Sequence, residues 1–166
     1  MCSTRLSLPP RIKILEALGA LADGRVKEEG ENFFSVVSSD GSRTYRVYVE
    51  KVGQREFRAC STDNGTVYRG YVGYPIISAM MLLGHLERDL EVEKALSGIP
   101  WRKLNETLKR YALVENEVMK TVSSRGVSPK SVYAVVSKVM SELGKLVITL
   151  DEKVCGADVA KEEGVD

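Results

Sequence analysis

A single histidine, His85, limits the acid–base chemistry open to this chain. Any nucleophile–imidazole pair would have to join it to Cys60 or to a serine. It closes the apolar run Ile76, Ile77, Ala79, Met80, Met81, Leu82 and Leu83, where a packed or capping imidazole is the expected role. Glu87, Asp89, Glu91 and Glu93 recur at every second position, which on a helix spreads carboxylates round the surface instead of gathering them on one ion. Gly70 and Gly73 do not complete a dinucleotide-binding glycine pattern, and no phosphate-cradling GxxxxGK[ST] stretch occurs. The three cysteines, Cys2, Cys60 and Cys155, are odd in number and lack CxxC spacing, so neither a disulfide framework nor a zinc site is expected. The expectation is therefore a binding protein rather than an enzyme, with no catalytic residue, metal or cofactor.

Recognition chemistry is concentrated in two stretches. Arg43, Arg46, Tyr48, Arg58, Arg69 and Tyr71 mix guanidinium and aromatic groups on neighbouring extended segments. Sheets that bind nucleic acid use this pairing to neutralise phosphates and stack bases, so the expected partner is nucleic acid or a protein surface. Ordinary cross-strand pairing with Glu50 and Glu56 would use the same arginines. The second stretch is Gly126-Val127-Ser128-Pro129-Lys130-Ser131-Val132, which resembles the turn of helix-turn-helix DNA-binding proteins. That resemblance implies Lys130, Ser131, Tyr133 and Ala134 as exposed reading positions, with Arg125 and Lys138 toward phosphates. A plain helical hairpin requires the same glycine and cap for geometric reasons alone.

These residues need elements to hold them. Pro9 and Pro10 stand where a helix can begin, and Ile12, Leu15, Leu18 and Leu21 follow at steps of three. Asp23-Gly24 ends that helix. Short alternating segments follow over 25–29, 33–38, 44–52, 56–61 and 66–72, broken by Gly30, Asp40-Gly41, Gly53 and Asn64-Gly65. Asp-Gly and Asn-Gly supply the positive φ of tight hairpins, which predicts consecutive antiparallel strands. Tyr45, Val47 and Val49 share one face of the third segment, while Arg46, Tyr48 and Glu50 share the other.

Pro75 opens a helix that is apolar nearly all round and so must be covered on more than one side. Beyond Pro100 one long helix is predicted from Leu104, Leu108, Tyr111, Val118 and Val122. A second is predicted from Pro129, capped by Ser128 and carrying Val132, Val135, Val136, Val139 and Leu143. Residues 145–150 form a candidate last strand.

The composition adds bounds on partners and setting. Lysine and arginine number 24 against 23 acids, so the balance gives no general pull toward nucleic acid or anionic membrane. Locally, residues 101–145 hold nine basic against four acidic side chains, and 146–166 hold two against six. The uncharged run over 70–86 is broken at its start and leaves fewer than the ~20 helical residues that cross a bilayer. With no disulfide pattern and no signal-like N-terminus, a cytoplasmic setting is expected. One glutamine and four asparagines hint at a thermophilic source.

The order helix, antiparallel strands, helix over Pro9 to Leu86 resembles one repeat of the TATA-box-binding protein. The stretch Cys60-Ser-Thr-Asp-Asn-Gly-Thr-Val-Tyr-Arg-Gly70, followed by an apolar helix, is similar to the final hairpin and helix of that family. The DNA-binding saddle of that family needs two repeats, the second of which a homodimer could supply. Helix-grip proteins share the layout and enclose an apolar ligand, a role that Met80 and Met81 would suit.

The resulting expectation is an α+β fold: an antiparallel meander of four to five strands packed on a long buried helix, with a C-terminal helical hairpin. Residues 1–97 form the α+β domain, 98–150 the hairpin, and 151–166 an acidic tail without structure.

Overall fold

The computed structural model describes residues 4–152, 154 and 155. Except for residues 151, 152, 154 and 155, the acidic tail expected over 151–166 lies outside the described residues. The elements are β1 (Thr4–Arg5), α1 (Ile12–Ala22), β2 (Val26–Gly30), β3 (Phe33–Val37), β4 (Thr44–Lys51) and β5 (Glu56–Ser61). A π-helical turn (Gly65–Arg69) leads to α2 (Tyr74–Leu82), α3 (Leu90–Ala95), α4 (Trp101–Leu108), α5 (Tyr111–Ser124), α6 (Pro129–Gly144) and β6 (Val147–Leu150).

The alternation in β4 works as its pattern requires. Val47 and Val49 are buried on the face that also carries Phe34, Val36, Phe57, Ala59 and Ile148. Against this face lies α2, whose Ile76, Ile77, Ala79, Met80 and Met81 are almost wholly buried. Helix α1 covers α2 through Ile14, Leu15, Ala17 and Leu18. Each such aliphatic side chain contributes about 1.5–3 kcal/mol by leaving water. Val114, Val118 and Val122 of α5 and Val132, Val136 and Val139 of α6 extend the same core.

The sheet has six strands in the order β1-β6-β5-β4-β3-β2. It is α+β as expected, but mixed rather than a simple antiparallel meander, because β6 lies parallel to β5. A hairpin cannot make such a pairing, and the chain from 62 to 146 forms the crossover.

Three further expectations are corrected. Residues 66–72 are not a strand. Asn64 has helical backbone angles (φ −60°, ψ −39°) rather than the positive φ of a hairpin turn. Asp63 diverts the chain, its carboxylate accepting from the Thr66 N–H at 3.1 Å and from the Thr66 hydroxyl at 2.8 Å. The single long helix after Pro100 is two, α4 and α5, because Lys109 turns left-handed at φ +61°. Finally, Cys60 and Cys155 are joined in a disulfide, across a sequence separation of 95. Cysteine spacing could not show this, since the partner reaches β5 only once β6 has paired beside it. The Ser128 cap stands as read: its Oγ accepts from the Ser131 N–H at 3.3 Å, with Pro129 opening α6.

Candidate functional site

The arginine and tyrosine set does not form one surface. Arg46, Tyr48 and Arg58 share the outer sheet face, where Tyr48 stands opposite Phe33 and Cys60. Its ring is only 8% exposed, packed on Phe33 at 5.0 Å and among Cys60, Cys155, Val154 and Leu150. The Tyr48 hydroxyl donates to Glu50 at 2.6 Å, and burial together with that carboxylate pushes its pKa up to about 12. Arg58 pairs with Glu50 at 2.5 Å and with Asp151 at 3.7 Å. The Arg46 backbone N–H donates to the Thr62 hydroxyl at 3.0 Å. The disulfide thus fixes Val154 and Cys155 over the middle of the face on which base stacking was expected.

Arg69 and Tyr71 belong to the connection before α2, not to the sheet. Tyr71 packs against Gly65, where an added Cβ would meet its ring at 2.3 Å. Arg43 lies in the loop between β3 and β4. In the second set, Arg125 holds the end of α3, donating to the carbonyls of Ala95 at 2.9 Å and Ser97 at 2.6 Å. Tyr133 lies under the Arg11 guanidinium at 5.5 Å, and Lys138 pairs with Glu87 at 3.4 Å. Lys130 and Ser131 are exposed on the first turn of α6.

A different place gathers polar groups of both signs. Segments far apart in the chain enclose a cleft of about 320 Å³. Helix α1 supplies Lys13 and Glu16, the residue before β2 is Arg25, and the β3–β4 loop supplies Ser38, Ser39 and Arg43. Tyr45 comes from β4, Asp63 and Tyr74 flank the π-helical turn, and α4 brings Trp101, Arg102 and Asn105.

Each wall is held by identifiable bonds. Glu16 is buried in α1, with the Lys13 ammonium of the same helix 2.8 Å from its Oε2. Burial alone would lower the Lys13 pKa, but the Glu16 carboxylate outweighs it and the pKa is raised. Arg25 Nη1 donates to the Val37 carbonyl at 2.7 Å. The loop is fastened to α4, because the Arg102 N–H donates to the Ser39 hydroxyl at 2.9 Å and the Arg102 guanidinium donates to the Ser42 hydroxyl. Asp40 at its tip is held well below the usual carboxylate range, first by hydrogen bonds from Ser42 and then by those from Ser38, with Arg102 adding to them. Tyr45 and Tyr74 meet edge to face at 6.1 Å. Burial raises both hydroxyl pKa values; the Asp63 carboxylate adds to the shift at Tyr45, and the Arg25 guanidinium opposes it at Tyr74.

Three side-chain atoms of this lining are buried without a hydrogen-bond partner: Arg25 Nη2, Trp101 Nε1 and Asn105 Oδ1. Glu16 Oε2 also lacks hydrogen-bond geometry, although the Lys13 ammonium balances its charge. Among the described residues these are all the buried side-chain atoms left in that condition. Each orphaned group costs about 1–3 kcal/mol, so their concentration round one cleft calls for an explanation. Two donors and an acceptor are what recognition of a small polar molecule uses. Among the described residues no group of three or more His, Cys, Asp or Glu side chains could hold a metal ion.

Sequence reading passed over most of this lining, apart from Arg43. The available signals were Glu16 within the apolar stretch Ile12 to Ala22, and Trp101 as the one tryptophan. Neither reveals that α1 and α4 face each other.

Fold and cleft together define an α+β protein, one mixed sheet backed by helices with a polar recess between α1, the β3–β4 loop and α4. Residues 6–149 match the family described as Uncharacterised conserved protein UCP014422, and the chain belongs to that family. No curated protein and no solved structure matches it. Among the described residues no helix is long and apolar enough to cross a membrane.

Proposed function

We propose that this protein is a binding module for a small polar molecule, held in the cleft between α1 and α4. The observation that carries this reading is that Arg25, Trp101 and Asn105, each with a buried side-chain atom that has no hydrogen-bond partner, all line one cavity. A folded chain seldom retains several such groups on residues that line one cavity unless a ligand completes them. The cleft suits a polar ligand better than an apolar one, since Met80 and Met81 lie sealed in the core away from it. The cavity is near the lower end of the ~300–1,000 Å³ range of ligand sites, which favours a metabolite-sized molecule over a polymer.

Thermal unfolding with a panel of anionic, cationic and neutral polar probes tests this directly. A ligand at about 100 times its Kd should add about 2.7 kcal/mol of stability. That gain should vanish in Asn105→Leu, which removes one orphaned acceptor and fills space. If every probe leaves the melting temperature unchanged, the cleft is not a binding site.

A further inference from the structure

Charge placement within the cleft narrows the ligand further. Lys13 is committed to Glu16 at 2.8 Å, and Arg102 to Glu106 at 3.3 Å and Asp40 at 3.6 Å. The Asp63 carboxylate is taken up by Thr66. What remains is the Arg43 charge and one edge of Arg25. The Arg43 guanidinium has no hydrogen-bond or ion-pair partner among the described residues, while Arg25 is ion-paired to Asp23 at 3.4 Å through Nε and keeps only a buried Nη2 without a hydrogen-bond partner.

These two arginines stand on the same stretch of backbone. Arg25 Nη1 grips the Val37 carbonyl at 2.7 Å. The Arg43 N–H donates to the Ser38 hydroxyl at 3.1 Å, and the Ser38 N–H donates to the Arg43 carbonyl at 2.9 Å. Both arginines line the cleft, and a guanidinium offers a planar N–H fork, the geometry that carboxylate and phosphate oxygens fit. Across the cleft, Asn105 Oδ1 can only accept.

Resting on the reading of the cleft as a ligand site, we infer that its ligand carries an oxyanion, carboxylate or phosphate, seated between Arg25 and Arg43, and an N–H or O–H donor directed at Asn105.

The test is an NMR titration of the full chain, following the Trp101 indole N–H and the backbone amides of residues 37–43. Probes are inorganic phosphate, succinate, ethanolamine and glycerol, with sodium chloride adjusted to constant ionic strength so that screening is matched. Saturable shifts with phosphate or succinate are expected, and the better of the two identifies the oxyanion. Arg43→Gln, an exposed position that the fold does not need, should weaken that binding about ten-fold, the effect of losing one charge-assisted hydrogen bond. Arg25→Gln should weaken it at least as much, with the amide spectrum reporting that the chain is folded. Saturation by ethanolamine or glycerol but by neither anion would overturn the oxyanion and leave the ligand cleft standing. Anion binding unaltered in Arg43→Gln would also overturn it. Silence from all four probes would remove the cleft reading as well.

Discussion

Gly19 and Trp101 are in such close contact that a Cβ on the glycine would lie 2.7 Å from the indole Nε1. The glycine on α1 is thus what lets α4 lay its tryptophan beside the helix and form one wall of the cleft. Gly19→Ala gains up to about 1 kcal/mol of helix propensity. Against this, Trp101 is only 2% exposed and cannot move aside freely, so overpacking of about 1–3 kcal/mol should dominate. A lowered melting temperature and altered tryptophan emission are expected; an unchanged or raised melting temperature would show that the indole has room to shift.

Gly73 and Asp63 stand in a similar relation. A Cβ at Gly73 would meet the Asp63 carboxylate at 2.2 Å, while the Gly73 N–H donates to the Thr66 hydroxyl at 3.2 Å. Gly73→Ala should break the buried Asp63–Thr66 network and destabilise the fold by about 2–3 kcal/mol in urea unfolding. Ser78→Ala, on the next helix turn, leaves this network alone and should cost less.

The disulfide gives a prediction on the opposite side of the sheet. Joining Cys60 to Cys155 closes a loop across 95 positions. Removing it by Cys60→Ser should cost about 2–4 kcal/mol. Because Tyr48 is packed partly by Cys155 and Val154, its ring should also become accessible to solvent. Alkylation followed by mass spectrometry should label Cys60 and Cys155 only after a thiol reductant has been added. Labelling of both without reductant would refute the bond.

His85 sets a pH dependence. Its ring meets Phe57 edge to face at 5.0 Å, and its pKa is lowered from 6.5, first by burial and then by the Lys51 charge. The unfolded chain therefore takes up a proton that the folded chain resists, so this group's contribution is present above 6.5 and is lost as pH falls through the folded value. Urea unfolding at about pH 7.5 and about pH 5.5 should show a loss of stability on acidification that is smaller in His85→Gln. An equal loss in both proteins would place the effect on carboxylates instead.

Much of the fold was legible because it is written locally. The alternation of Tyr45, Val47 and Val49 against Arg46, Tyr48 and Glu50 is realised in β4. The apolar residues 76–81 describe a helix buried between sheet and α1, while Leu82 and Leu83 at its end are exposed. Ser128 and Pro129 mark the start of α6 without reference to anything distant. The misread stretches are those where a single side chain or one residue's backbone overrides the pattern. Asp63 captures Thr66 and turns an expected strand into a π-helical turn. Lys109 adopts a left-handed conformation within a continuous helical stripe.

By itself the sequence determined most strands and helices and the buried face of β4, α1 and α6, because side-chain period and turn chemistry act over a few residues. Only the tertiary structure decided which distant segments meet. It set β6 parallel to β5, brought Cys155 to Cys60 over Tyr48, and closed α1, the β3–β4 loop and α4 round one recess. The physical reason is that unpartnered groups such as Arg25 Nη2 and Asn105 Oδ1 are defined by what surrounds them in space, and no spacing along the chain encodes that.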